Sequence, residues 1–208
     1  MTHCIIEDFA PAGLLRAVAA TWPRDDWPHW HRYDDENAVK LGSKDAHRLP
    51  DAARQVLSLM AMIDVGRLDP PSSILHPPSS FPDLDLHGAG LHAILPGGHL
   101  GLHLDGAVHP LTGWRRELNA VLFVDDWESA WGGELEFWQS ETSGPMAVIQ
   151  PARNSLVLFS TREEAWHRVA PVTGPRPRRT LSMFWWSNQP SDCRRMRAEF
   201  QPSHGNQS

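Results

Sequence analysis

The chain is poor in cysteine and has no large excess of positive charge. Its 208 residues include only Cys4 and Cys193, too few for a disulfide framework or for a zinc site built from cysteines. The formal net charge is −6 at pH 7, whereas a nonspecific nucleic-acid-binding protein usually carries a broad basic surface. We therefore expect free thiols in a reducing compartment and no nucleic-acid partner.

The sequence also lacks a long apolar run. No segment approaches the length needed to cross a membrane, and the N-terminal stretch MTHCIIEDFA carries acidic residues and no basic region. These features predict a cytoplasmic protein with no membrane partner. The length and a hydrophobic content of 41% favour a single domain over residues 1–208 rather than two domains. The oligomeric state does not follow from the sequence.

Residues 1–90 predict helices joined by irregular segments. Apolar residues recur at helical spacing in 11–21 and in 50–62, each time after an early proline. Residues 22–40 are too polar and irregular for an element of the core, and residues 69–85 form a connection rich in proline and serine. We expect the first third to be largely helical and these loops to fold over a site.

From residue 91 onward, short apolar runs alternate with turn residues. They predict eight strands, at 91–95, 100–105, 117–124, 133–139, 147–150, 155–160, 167–172 and 179–186. Short strands without intervening helices exclude a doubly wound parallel sheet and are typical of a double-sheet jelly roll. The predicted fold is mainly β with α (α+β). Its cupin-like double-stranded β-helix core at 91–187 follows the helical N-terminal region and precedes a tail at 188–208.

One predicted strand carries two side chains of the kind that bind metals. In HLGLHLDGAVHP (99–110), leucines alternate with polar residues, which places His103 and Asp105 on one face of a half-buried strand. This spacing is weak alone, because a chain with 12 histidines yields a His-x-Asp by chance. A non-haem iron site needs a second imidazole, which His167 at the start of the seventh strand supplies. The candidate metal ligands are His103, Asp105 and His167.

The order of several motifs resembles the 2-oxoglutarate- and Fe(II)-dependent dioxygenases, on their prolyl-4-hydroxylase-like branch. The likeness covers about residues 91–187, and its order is specific although each segment is weak. The segments are PGG (96–98), RRELNAVLFVDDW (115–127), GGELEFW (132–138), PARNSLVLF (151–159), WHRVAPV (166–172) and RRTLSMFWW (178–186). The resemblance implies Fe(II) held by His103, Asp105 and His167, with 2-oxoglutarate and O2 as cosubstrates.

The resemblance also implies a cation for the far carboxylate of 2-oxoglutarate, about ten residues beyond the second histidine. Arg178 fits this position, since a guanidinium meets a carboxylate with two parallel hydrogen bonds. Strand alternation places Arg178 in phase with Thr180 and Ser182, whereas Arg179 points the other way. Arg179 is therefore the second candidate for binding the far carboxylate.

The remaining cosubstrate contacts follow from the same resemblance. The residues expected there are Asn119, His92 and Ser182. The sequence departs from the family in its single tyrosine, Tyr33, because relatives often give a tyrosine hydroxyl to the cosubstrate carboxylate. Ile94 and Phe123 lie near the expected positions. We expect a rebuilt pocket or a changed occupant.

The implied activity is hydroxylation of an aliphatic carbon, with release of succinate and CO2. We expect a small-molecule substrate, an amino acid or a biosynthetic intermediate, with Trp27, Trp30 and Trp114 as candidates for the pocket entrance. Asp105 disfavours halogenation, because halogenating relatives replace that carboxylate with a small residue. Two alternatives stay open: a prolyl-type hydroxylase of a protein residue, and a non-catalytic cupin-like protein that binds a metal or another ligand.

Overall fold

The computed structural model describes residues 2–43, 45–65, 80–162, 164–190 and 193–201, and these ranges are mainly β. The helices are α1 (Ala12–Ala20) and α2 (Asp51–Ala61). The strands up to residue 104 are β1 (His3–Ile6), β2 (His31–Asp34), β3 (Ala38–Gly42), β4 (Phe81–Pro82), β5 (Gly90–Ile94) and β6 (His99–Leu104). The later strands are β7 (Arg115–Phe123), β8 (Leu135–Trp138), β9 (Pro145–Ile149), β10 (Leu156–Ser160), β11 (His167–Val169), β12 (Arg178–Ser187) and β13 (Glu199–Phe200).

The predicted jelly-roll core is confirmed. Strands β5 to β12 match the eight predicted strands in order, and most of their ends differ by one or two residues. The strand order is β1-β10-β7-β12-β5-β3-β6-β11-β8-β9, with every pairing antiparallel. Strand β11 is shorter than predicted, since it ends at Val169 and the predicted strand reached 172.

The sheet curls so that its two halves share one interior. Apolar side chains from both halves form a single buried cluster. It consists of Ile94, Phe123, Leu135, Phe137, Ile149, Val157, Phe159, Val169 and Val172. The interior also receives every second residue of β12, beginning with Arg178, because side chains alternate across a strand.

The two predicted helices are confirmed, and they cover the outer face of the sheet. Val18 of α1 and Met60 of α2 lie in a buried cluster with Leu118, Leu122 and Leu181 from β7 and β12. Alternate residues of β12 thus face different surroundings. The apolar row with Leu181 faces the helices, and the row that begins with Arg178 faces the interior. Within the described ranges, no helix is long and apolar enough to span a membrane.

The expectation of an irregular segment at 22–40 is correct for residues 22–30 and wrong for residues 31–40. Residues 31–42 form an antiparallel hairpin in which β3 lies between β5 and β6 and so joins the two halves of the sheet. Its turn is stabilised by Asp35, whose carboxylate accepts the backbone N–H groups of Asn37 and Ala38. The polar composition of β2 made the hairpin hard to predict. Among the described strands, β2 pairs with β3 alone, and three of its four residues are exposed.

Two further expectations need correction. The first 90 residues are not largely helical, since they also hold β1 to β4. The predicted tail at 188–208 contains β13, which pairs with β6. The predicted connection at 69–85 lies outside the described residues up to position 79, and its last part contains β4.

Candidate metal centre

The structure brings the three predicted metal ligands together. Pairing of β6 with β11 sets His103 opposite His167, and Asp105 directly follows β6. One ligand atom from each residue lies within 4.8 Å of the others. The Nε2 atom of His103 is 3.5 Å from Oδ1 of Asp105, and the Nε2 atom of His167 is 3.6 Å from Oδ2. The arrangement can hold one metal ion through two imidazoles and one carboxylate.

Both imidazoles are oriented by the backbone. The Nδ1 atom of His103 lies 2.8 Å from the carbonyl oxygen of Gly101, and that of His167 lies 2.8 Å from the carbonyl oxygen of Ala165. An Nδ1–H that donates to a carbonyl leaves the Nε2 lone pair free for a metal. Burial, and then the neighbouring His103, lower the pKa of His167 to about 4, so this ring is neutral at pH 7.

Asp105 is held in its charged form. Burial alone would raise the pKa of this carboxyl, but Arg116 and the two imidazoles outweigh it, and the pKa lies well below its usual value. Asn119 donates a hydrogen bond from Nδ2 to Oδ2 of Asp105, and Nη1 of Arg116 is 3.5 Å from the same oxygen. Asn119 therefore contacts the metal ligand Asp105 directly, whereas the sequence predicted a contact with the cosubstrate.

Arg116 is the site residue that sequence reasoning missed. The preceding residue, Arg115, is a partner of a nearby acid, since its Nε donates to Glu117 at 2.7 Å. Arg116 instead points inward, is 8% exposed, and lies over the Phe184 ring at 3.9 Å. Strict alternation from Asn119 would place Arg115 on the interior face. The pairing of β7 with β12 shifts register between Trp185 and Trp186, and this irregularity brings Arg116 to that face instead.

A cavity of about 120 Å³ adjoins the three ligands inside the curled sheet. Arg178, Thr180 and Ser182 of β12 line it together, as their phase predicted. Arg178 is 4% exposed, donates from Nε to the carbonyl oxygen of Gly133 at 2.7 Å and lies 4.9 Å from the centroid of Phe123. Its Nη2 has no hydrogen-bond partner among the described residues.

The charge of Arg178 suits an anion in this cavity. Burial lowers the pKa of Arg178 to about 9, which still leaves the guanidinium charged at pH 7. A buried N–H without a partner is costly, so its retention here indicates a ligand that accepts from it. Arg179, the second candidate, does not line this cavity. Its Nε donates to Asp125 at 2.7 Å, and its Nη1 donates to the carbonyl oxygen of Ala19.

The other predicted cosubstrate contacts also reach the cavity. His92 and Ile94 of β5 line it with Asn119. Burial, followed by the charges of Lys40 and Arg178, holds the pKa of His92 well below its usual value, so the ring is neutral. Its Nδ1 lacks a hydrogen-bond partner among the described residues. No tyrosine is among the described residues that line this cavity, which include the apolar Ile94.

A second, larger cavity of about 1000 Å³ adjoins two of the three ligands. His103 and Asp105 line both cavities, as does Lys40 of β3. The remaining walls come mostly from the β2–β3 hairpin and from residues 196–200. Two of the metal ligands thus border both the small cavity that contains Arg178 and the larger cavity.

The three tryptophans proposed for an entrance pack elsewhere. Trp27 and Trp30 are partly buried against the cluster under the helices, and Nε1 of Trp30 donates to the carbonyl oxygen of Arg24 at 2.8 Å. Trp114 packs against Phe81, with ring centroids 4.8 Å apart. Their irregular surroundings were a poor signal, because a large aromatic side chain also packs a core.

The donor set fits Fe(II) and a dicarboxylate. Two neutral imidazoles with one carboxylate on one side of an ion are typical of non-haem iron sites, whereas a structural zinc site is closed by four ligands. No other cluster of three or more potential ligands occurs in the described part of the chain. The unpartnered Nη2 of Arg178 leaves a hydrogen-bond donor available to an anion in the same cavity.

Comparison with known proteins agrees with this geometry. The family model of the 2OG-Fe(II) oxygenase superfamily matches residues 89–187. A curated relative, the PKHD-type hydroxylase YbiX of Escherichia coli O1:K1 / APEC, is 39% identical over 111 residues, which cover 52% of this chain and 46% of the relative. The chain thus spans about half the length of that relative.

Solved structures share the fold. A prolyl-4-hydroxylase from Pseudomonas putida superposes with a TM-score of 0.63 at 21% identity, covering 91% of this chain and 93% of that one. A prolyl hydroxylase from Trichoplax adhaerens, solved with a peptide fragment of a hypoxia-inducible factor, gives 0.61 at 14% identity and covers 89% and 83% of the two chains. At this coverage, the likeness in fold extends beyond residues 89–187, which match the family model.

Proposed function

Because residues 89–187 of this chain belong to the 2OG-Fe(II) oxygenase superfamily, on its prolyl-4-hydroxylase-like branch, we propose that the protein is a hydroxylase dependent on Fe(II) and 2-oxoglutarate. Its substrate in this proposal is a small molecule with an aliphatic carbon, such as an amino acid or a biosynthetic intermediate. Iron, 2-oxoglutarate and O2 together supply the oxidising power that converts C–H to C–OH, with succinate and CO2 as coproducts.

The residues have distinct tasks in this proposal. His103, Asp105 and His167 would hold the iron, with each imidazole directed by its backbone hydrogen bond. Asn119 fixes the Asp105 carboxylate, and the neighbouring Arg116 keeps it charged. Arg178 would bind the far carboxylate of 2-oxoglutarate with its Nη2. The apolar walls around it exclude water and so strengthen this ion pair.

The observation that carries the proposal is the buried guanidinium of Arg178, which shares a cavity with the three metal ligands. A cupin-like protein that binds a metal without turnover has no need of an unpartnered cation there. An oxygenase that binds a dicarboxylate beside its metal does need one. The same feature therefore favours the enzyme over the binding protein.

The larger cavity supports a small substrate. Its volume of about 1000 Å³ lies within the range of pockets that enclose small ligands. Its walls combine aromatic rings, such as Phe184 and Phe200, with polar groups, such as Tyr33 and Lys40. Such a lining can orient a molecule that is apolar at one end and polar at the other.

The runner-up is a hydroxylase of a residue in a protein. It is favoured by the peptide bound to the Trichoplax adhaerens relative, although the likeness to that protein is one of fold. The two substrates differ in size, so a screen separates them. Succinate release stimulated by the small-molecule fraction of a cell extract favours our proposal, and release stimulated only by the desalted protein fraction favours the alternative.

The first experiment tests the cofactor requirement itself. Fe(II) and then 2-oxoglutarate are added anaerobically to the metal-free protein, and the weak visible charge-transfer band of a chelated keto acid is recorded. We expect the band in the unchanged protein and none in His103→Ala, which lacks one ligand. Iron binding without a band in the unchanged protein would contradict the proposal and favour the metal-binding alternative.

A further inference from the structure

The C-terminal segment, residues 193–201, forms part of the wall around the metal ligands. Its strand β13 pairs with β6, so that Phe200 lies opposite His103 and Glu199 lies opposite Leu104. The backbone N–H of Gln201 donates to the carbonyl oxygen of Leu102 at 2.9 Å. The segment therefore continues the sheet at the strand that carries the first ligand.

A second set of contacts joins this segment to the residues after Asp105. The carbonyl oxygen of Arg195 accepts hydrogen bonds from the N–H groups of Ala107, at 2.6 Å, and Val108, at 3.1 Å. The Nε of Arg195 donates to the backbone carbonyl of Asp105 at 2.6 Å. At Gly106, an added Cβ would lie 2.8 Å from the carbonyl oxygen of Met196, so the two backbones are in close contact.

The side chain of Phe200 contacts the imidazole of a metal ligand. Its ring stacks on the imidazole of His103, with centroids 5.1 Å apart and an interplanar angle of 25°. Phe200 also lines the larger cavity, together with Met196 and Arg197. The ring therefore takes up space beside the metal site that a bulky substrate would otherwise need.

From these contacts we propose that Phe200 is a specificity-determining residue, which limits the size of the molecule that reaches the metal. This inference rests on the proposed function. It places selectivity in the C-terminal segment, outside residues 89–187, which match the family. The same superfamily core can then serve other substrates when a different segment covers this strand.

The test measures access to the metal and does not require the substrate. The Fe(II)-loaded protein is mixed anaerobically with a small chelator, 2,2′-bipyridine, or a bulky one, bathophenanthroline disulfonate, and the coloured chelate is followed over time. In Phe200→Ala, we expect the ratio of the bulky-chelator rate to the small-chelator rate to rise about tenfold, a typical steric discrimination in a pocket. Phe200→Leu, which keeps part of the bulk, should fall between.

Glu199→Gln is the matched control, because Glu199 is exposed, lies on the same strand and is absent from the lining of the larger cavity. An equal rise with both chelators in Phe200→Ala would mean that the ring only stabilises His103, and it would overturn the proposal. An unchanged ratio would overturn it too. If Phe200→Ala does not fold, Met196→Ala, an exposed residue of the same wall, is used with the same criterion.

Failure of this inference is distinguishable from failure of the proposed function. Absence of the keto-acid band in the unchanged protein concerns the cosubstrate cavity and Arg178. An unchanged chelator ratio concerns only the wall formed by the C-terminal segment. The two measurements therefore give independent answers.

Discussion

Arg178 and Arg179 are adjacent in sequence and face opposite sides of the sheet. Arg178 presents an unpartnered Nη2 to the small cavity, whereas Arg179 forms an ion pair with Asp125 beneath α1. The guanidinium group alone therefore does not define the task of either residue. The position of each arginine along β12, where side chains alternate between the two faces, defines its role.

This opposition gives a paired test of cosubstrate binding. Arg178→Ala should weaken 2-oxoglutarate binding to the metal-loaded protein by about tenfold to a hundredfold, because a charge-assisted hydrogen bond contributes about 1.5–3 kcal/mol. Arg179→Ala should leave that affinity unchanged. Anaerobic titration of 2-oxoglutarate, followed by its visible band, measures both. Equal affinities in the two variants would show that Arg178 does not bind the cosubstrate.

At this scale, the sequence was informative where strand alternation is regular, and it failed at Arg116, where the pairing of β7 with β12 shifts register. Alternating leucines placed His103 and Asp105 on one face, and the phase of β12 separated Arg178 from Arg179. Phe200 could not be found in this way. Its contact with His103 joins residues far apart in the chain, and a pattern local to either strand does not record such a pairing.

The secondary-structure elements differ in how well they could be predicted from the sequence. Strands β5 to β12 have apolar runs bounded by turn residues, and all were predicted. Strand β3 was missed because its register depends on two neighbours from elsewhere in the chain, β5 and β6. Strand β13 is only two residues long, too short for any periodic pattern. Pairing, rather than propensity, creates such elements.

The contact between the PGG turn and β3 supports a prediction about stability. An added Cβ at Gly98 would come too close to the carbonyl oxygen of Val39 and to Leu95, whereas at Gly144 it would meet nothing within 4 Å. We expect Gly98→Ala to reduce the free energy of unfolding by about 1–3 kcal/mol, the usual cost of overpacking. Gly144→Ala should change it by less than about 0.5 kcal/mol. Urea unfolding curves compare the two, and equal midpoints would contradict this close packing.

The whole molecule combines a core that matches the family model with walls of the larger cavity that lie mainly outside this core. The metal ligands and Arg178 lie within residues 89–187, but the larger cavity is walled mainly by the β2–β3 hairpin and the C-terminal segment. The sequence therefore predicted the cofactors better than the substrate, because motifs carry the first and long-range packing carries the second. The single domain and the cytoplasmic location stay predictions.

Because the metal ligands come from β6 and β11, and Arg178 comes from β12, ligand binding should stabilise the whole fold in two separable steps. A ligand that binds only the folded state at about a hundred times its Kd adds about 2.7 kcal/mol, or roughly 5–10 °C in Tm for a chain of this size. Anaerobic Fe(II) should give the first rise in the unchanged protein and in Arg178→Ala. Added 2-oxoglutarate should give a second rise only after the metal, and this rise should be clearly smaller in Arg178→Ala than in the unchanged protein. Thermal unfolding followed by tryptophan fluorescence measures both steps. A second rise in Arg178→Ala equal to that of the unchanged protein would mean that the dicarboxylate binds away from β12. Its effect on Tm would then not depend on the buried guanidinium.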